Sequence, residues 1–161
     1  MFSIVFSVCA YLYMKDFAPK ISKIGMLLFL AMHIISITYG LFPQDLPGAP
    51  VTFTGIMHLV VTGLIIPLTI AAPILVGKGL KKIASFKYYG VYSFITGILI
   101  FIAGGTTAIF FANKLPCFGL VERINIGILQ LWMLVTSIKF FTVKDITNSK
   151  KLMKPFFTGG T

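Results

Sequence analysis

Six side chains could do chemistry from inside, or just beside, the long apolar runs of this sequence: His33, Ser36, Asp45, His58, Glu122 and Arg123. Ionisable groups at membrane depth are costly to keep, so each is a functional candidate by default. His33, Ser36 and Gly40 fall at spacings of three and seven, which places them on one helix face, with His33 about 13 Å below Phe42 at helical rise. Thr54, His58, Thr62 and Thr69 recur at fours and sevens, a polar stripe that starts soon after Asp45. Glu122 and Arg123 open the last apolar run, and Gln130 continues the face of Arg123 about two turns deeper. If Asp45, His58, Glu122 and Arg123 converge, with His33 and Ser36 further in, they form one polar pocket open to the outer side of a membrane.

Three chemistries suit that set. Imidazole and carboxylate are good zinc or iron ligands, which makes His58, Asp45 and Glu122 the metal candidates, although no HxxxH or HExxH spacing occurs. A hydrolase using Ser36 with a His and an Asp is conceivable, but Ser36 lacks a nucleophile-elbow context. Binding of an anionic ligand or a lipid headgroup by Arg123 and His58 asks only for convergence. Each residue has a plainer role beside the chemical one. Asp45 precedes Leu46-Pro47-Gly48 and can close that turn through its own backbone. A carboxylate at Glu122 complements a helix N-terminus, with Arg123 as its neutralising neighbour. Serines and threonines in spanning helices often bond back to their own carbonyls, and His33 can be a packed histidine bonded to a Ser or Thr across helices. No cofactor motif accompanies these residues.

The elements that must position them follow from composition and charge. Hydrophobic residues make up 57% of the chain and charged ones 11%, with mean hydropathy +0.96. An ordinary soluble domain has roughly a quarter charged residues, so the apolar excess here is bilayer surface. Apolar runs predict an all-α, polytopic transmembrane bundle over 1–144 with five spans, about 1–14, 24–42, 51–77, 88–112 and 124–143. The first is short for a span, and a basic stretch follows it rather than preceding it, against a signal peptide. Pro67 and Pro73 fall inside the third. Gly90, Gly97, Gly104 and Gly105 give the fourth small-residue faces that could pack against a membrane partner or a second copy. A short basic tail, 145–161, completes the chain.

Of the 14 Lys and Arg, all but Lys114 and Arg123 cluster at Lys15–Lys23, at Lys78–Lys87 and from Lys139 onward. Positive charge on alternate loops is the pattern of a multi-pass cell-membrane protein, with its N-terminus outside and its C-terminus in the cytoplasm. The net charge of +10 brackets apolar spans instead of forming an aromatic-interleaved basic face, which argues against nucleic acid and for membrane lipid as the partner. Cys9 and Cys117 form no redox or metal motif, and the topology permits but does not require their pairing.

The segments Gly40-Leu41-Phe42-Pro43-Gln44-Asp45, Gly55-Ile56-Met57-His58, Gly119-Leu120-Val121-Glu122-Arg123 and Leu131-Trp132 resemble an uncharacterised multi-spanning membrane family, domain of unknown function 998, over about Ile24–Phe141. The resemblance implies that Phe42, Pro43, Asp45, His58, Glu122 and Arg123 belong to a shared external constellation, supported by Trp132 in the final helix. Such proteins usually have six spans where this chain has room for five, which implies a shortened member or one without the leading helix. The resemblance supplies no reaction. The residues favour an external pocket for a lipid headgroup or small ligand. They leave open a non-catalytic accessory subunit, a small transporter or proton path through His33 and His58, and an intramembrane hydrolase or transferase at the outer leaflet.

Overall fold

The computed structural model describes residues 2–46 and 49–143; the expected basic tail lies outside the described residues. Those residues form helices and no strand: α1 (Phe2–Met14), α2 (Lys20–Ser36), α3 (Phe53–Leu80), α4 (Lys87–Ala112) and α5 (Phe118–Thr142), with 3-10 turns at Ile37–Gly40 and Ala84–Phe86. The last three helices, and α2 with the turn that extends it, are long and apolar enough to cross a membrane. The 13 residues of α1 reach only about 20 Å at helical rise, short of a hydrocarbon core of ~30 Å.

Two boundaries differ from expectation. α2 starts at Lys20, directly after Pro19, whose φ of −56° suits helix entry. α5 starts at Phe118 and not near Ile124, because Cys117 takes a left-handed conformation (φ 65°) that turns the chain into the helix. Phe118 then packs on Phe111, with ring centroids 5.5 Å apart, and lengthens the α4–α5 hairpin. Glu122 and Arg123 consequently sit in the second turn of α5 rather than opening it.

Consecutive helices are antiparallel neighbours. Ser22 Oγ donates to Val76 O (2.9 Å) and Tyr39 meets Thr62 (3.0 Å), which aligns α2 with α3 end for end. Ser93 with Pro73 joins α4 to α3, and Tyr89 with Thr136 joins α5 to α4. α1 lies beside α2 through Phe6 and Phe29, and beside α5 through Tyr13 stacked on Phe140. This order carries Lys15, Lys20, Lys23, Lys78, Lys81, Lys82, Lys87 and Lys139 to one end, the basic end. Asp45, Lys114, Glu122 and Arg123 go to the other.

Lipid tails are as apolar as leucine, so helices in a bilayer associate through close packing and hydrogen bonds rather than through the hydrophobic effect. Both devices are present. A Cβ on Gly25 would lie 2.8 Å from Ala72 O and from Val76 N, so α2 meets the backbone of α3 directly. One on Gly77 would lie 2.5 Å from Gly90 O and from Phe94 N, the same close approach between α3 and α4. The hydrogen bonds run through buried hydroxyls. Trp132 Nε1–H donates to Ser93 Oγ (2.8 Å), and the Ser93 hydroxyl donates to Pro73 O (2.8 Å). Thr136 spends its one hydroxyl proton on Trp132 O (2.6 Å), so at 2.7 Å Tyr89 must be the donor to Thr136. Every group in this relay is satisfied, as a buried polar network requires.

The relay and the glycine contacts crowd into the basic half. On α4 the buried residues run from Tyr89 to Ile100, and on α5 from Trp132 to Phe140. Phe101–Ala112 and Phe118–Leu131 bury none, and on α3 the half near Asp45 contributes Gly55 and Val61. The bundle is tight at one end and loose at the other.

Adding a methyl where backbones touch costs roughly 1–3 kcal/mol through overpacking. Gly25→Ala and Gly77→Ala are therefore expected to lower the thermal unfolding midpoint of the detergent-purified protein by several degrees. Gly105→Ala, where nothing lies within 4 Å of the added atom, should leave it unchanged. Equal midpoints for all three would refute the close-approach account.

Candidate functional site

The corner where the chain leaves α2 and enters α3 gathers three of the expected residues. Thr52 is the N-cap of α3, its Oγ1 accepting from Gly55 N (3.1 Å). Asp45 folds across to it: Oδ2 accepts from Thr52 N (2.9 Å) and Oδ1 from the Thr52 hydroxyl (2.6 Å). Because that proton is committed to Asp45, the 2.8 Å contact between Thr52 and Thr54 has Thr54 as donor. Asp45 thus ties the loop across to the helix cap. Gly55 leaves room for the Asp45 carboxylate, which a Cβ there would displace.

One turn along α3, His58 Nδ1 lies 2.8 Å from Phe42 O. A carbonyl can only accept, so Nδ1 carries the proton and the neutral ring presents Nε2 as an acceptor. The Tyr39 ring tilts over the imidazole at 4.8 Å between centroids. Its hydroxyl donates to Thr62, whose own proton goes to His58 O (2.8 Å). The imidazole is half-buried and held on one side, with Nδ1 bonded to Phe42 O and the Tyr39 ring against its face. Phe42 contributes its carbonyl, and exposed Pro43 shapes the step before Asp45.

The other candidates lie apart from this corner in their bonding. His33 Nδ1 binds Phe29 O on its own helix (2.9 Å), not a partner across helices, and Ser36 Oγ donates to His33 O (2.8 Å). Glu122 and Arg123 are exposed on α5, which packs mainly against α4 and α1. The Arg123 guanidinium lies back along its own helix, Nη1 3.6 Å from where a Cβ on Gly119 would stand. Trp132 is central to the core, not to the site. Among the described residues, no three His, Cys, Asp or Glu side chains are grouped to hold a metal ion. Cys9 and Cys117 are free and exposed.

Sequence reasoning missed Thr52 and Tyr39, which hold Asp45 and His58. A threonine immediately before an apolar run is an N-cap signal, so Thr52 was recoverable. Tyr39 was not, because its partner is 23 positions away.

The Thr52 hydroxyl, and after it the Thr52 backbone N–H, holds the Asp45 carboxyl below its ordinary value. A carboxyl depressed in the folded state adds stability that is complete above its unfolded pKa, near 4, and lost as pH falls through the folded value. The unfolding midpoint is therefore expected to fall on acidification below about pH 4, and Asp45→Asn should flatten that acid limb. Thr52→Ala, which removes both the donor and the cap, should cost about 1 kcal/mol at neutral pH. An acid limb of the same size in Asp45→Asn would overturn the assignment.

No curated protein and no solved structure matches the chain. A family model does, over residues 1–139, which takes in α1 as well as the four long helices. The family is described as a protein of unknown function (DUF998). The match covers most of the chain, and this chain belongs to the DUF998 family.

Proposed function

We propose that this integral membrane protein resides in the cell membrane with its basic end in the cytoplasm, and that the α2–α3 corner on the outer side binds a lipid headgroup or a small polar ligand. The observation that carries the reading is His58. Its ring is pinned through Nδ1 to Phe42 O, which sets Nε2 to accept a hydrogen bond from a ligand hydroxyl or ammonium, or to donate one when the ring is protonated. Asp45 supplies negative charge at the N-terminal cap of the same helix, bonded to Thr52. Glu122 and Arg123 are exposed at the same end of the bundle and add charge of both signs to that surface. The lysines at the opposite end support the orientation, because basic loops are retained on the cytoplasmic side.

A second reading has its own support. Asp45, Thr52, Tyr39 and Thr62 satisfy one another, so the corner works as a clamp with no ligand at all. On that reading the chain is a non-catalytic accessory subunit, and the open flank of α4 around Gly105 faces a partner or a second copy. Gly90 and Gly97 are not available for this, being packed against α3. A proton path through His33 and His58 has less support, since His33 is bonded within its own helix.

Native mass spectrometry of the detergent-purified protein, beside His58→Ala and Glu122→Gln, separates the two. A bound lipid or small molecule present in the parent and lost in both variants is the expected result. An unliganded mass in all three, with unchanged unfolding midpoints, would overturn the ligand reading and leave the clamp.

A further inference from the structure

At the basic end, far from the His58 corner, α1 and α5 flank a groove of about 260 Å³. Its walls are the faces Phe6, Cys9 and Tyr13 of α1 and Ser137, Phe140 and Phe141 of α5. The two hydroxyls on these walls are already engaged. Ser137 Oγ donates to Met133 O (3.0 Å) and Tyr13 OH to Val143 O (3.3 Å). What the groove offers an occupant is therefore hydrocarbon. Its volume lies just below the roughly 300–1,000 Å³ of small-molecule pockets, enough for one flexible chain.

An apolar groove does not by itself select an occupant in a bilayer, because tails outside are equally apolar. Charge does. Lys15 follows Tyr13 by two residues and is exposed. Lys23 Nζ donates to Lys15 O (3.0 Å), which brings a second ammonium to the end of α1. Lys139 lies between the two groove residues Ser137 and Phe140, its Nζ 5.7 Å from the Phe86 ring centroid. Asp16 is the one acidic neighbour at this end among the described residues. Ammonium groups at the membrane surface attract anionic headgroups and leave neutral ones unselected.

We propose that the α1–α5 groove seats one acyl chain of an anionic phospholipid, with its headgroup held by Lys15, Lys23 and Lys139. This site is independent of the His58 reading and lies at the opposite end of the bundle.

The test uses the full chain purified in detergent, supplied with phosphatidylglycerol or phosphatidylcholine and measured by native mass spectrometry and thermal unfolding. Cys9→Trp fills the groove from an exposed position, and Val8→Trp puts the same bulk on the neighbouring outward face. The parent and Val8→Trp are expected to retain one phosphatidylglycerol and to gain several degrees from it. Cys9→Trp should lose both effects while keeping the parent's midpoint without lipid. Lys15→Gln with Lys139→Gln should cut the preference for phosphatidylglycerol by roughly an order of magnitude. If Cys9→Trp fails to fold, Phe141→Ala, 74% exposed on the groove rim, takes its place and should also release the lipid. Equal retention of phosphatidylcholine, retention undiminished by the groove variants, or a lipid-free dimer with a second copy over the groove would each overturn the proposal. Loss of the lipid in His58→Ala but not in Cys9→Trp would place it at the other end.

Discussion

The close approach of α3 to the helices on both sides is the constraint on which the rest of the bundle depends. Gly25 lets α2 touch the backbone of α3, and Gly77 with Gly90 does the same for α4. Once three backbones are at that distance, short hydroxyls reach neighbouring carbonyls. Ser22 bonds Val76 O and Ser93 bonds Pro73 O because no long side chain stands between the helices. In a medium that offers no water to unpaired groups, such reach decides whether a buried serine is tolerable. Trp132 then uses Ser93 as its acceptor and packs its ring on Phe29, 5.1 Å between centroids, which ties α5 and α2 to the same centre.

The consequence is a molecule with two unlike halves. The basic half holds the glycine contacts, the Trp132–Ser93 relay and the aromatic cluster around Phe86 and Phe140. The other half keeps α2 and α3 together by the polar corner at Asp45, Thr52 and His58, while α4 and α5 run on beside each other without burying residues. Local opening concentrates where few buried contacts oppose it. The candidate ligand corner therefore sits at the end best able to adjust, on a base that is not.

Much of this was legible in the residues, for reasons that can be named. The four long spans follow from apolar runs bounded by lysines and loop residues, because a bilayer imposes a length as well as a hydropathy. Asp45 and His58 were legible as belonging to one corner of the chain, since the connection between α2 and α3 is short. Glu122 and Arg123 were a different matter. Their being at the same end follows from topology, but whether they face His58 depends on how the α4–α5 hairpin leans, which no local pattern encodes. The start of α5 was misjudged for a related reason: the turn into it relies on a left-handed Cys117, a conformation that residue type does not announce.

Hydropathy, loop charge and helical spacing are properties of neighbouring residues, and they settled the membrane class, the helix count and the polar stripe on α3. Partnerships between distant residues were decided only in three dimensions. Tyr89 with Thr136 and Trp132 with Ser93 span 47 and 39 positions, and both exist because glycine contacts between α3 and its neighbours set the spacing of the bundle. The same packing turned Trp132 from a motif residue into the centre of the core, and it left α1 and α5 flanking a groove. A chain in lipid can choose its helices locally. Their partners are chosen by whichever faces let backbones meet while buried hydroxyls reach a neighbouring carbonyl.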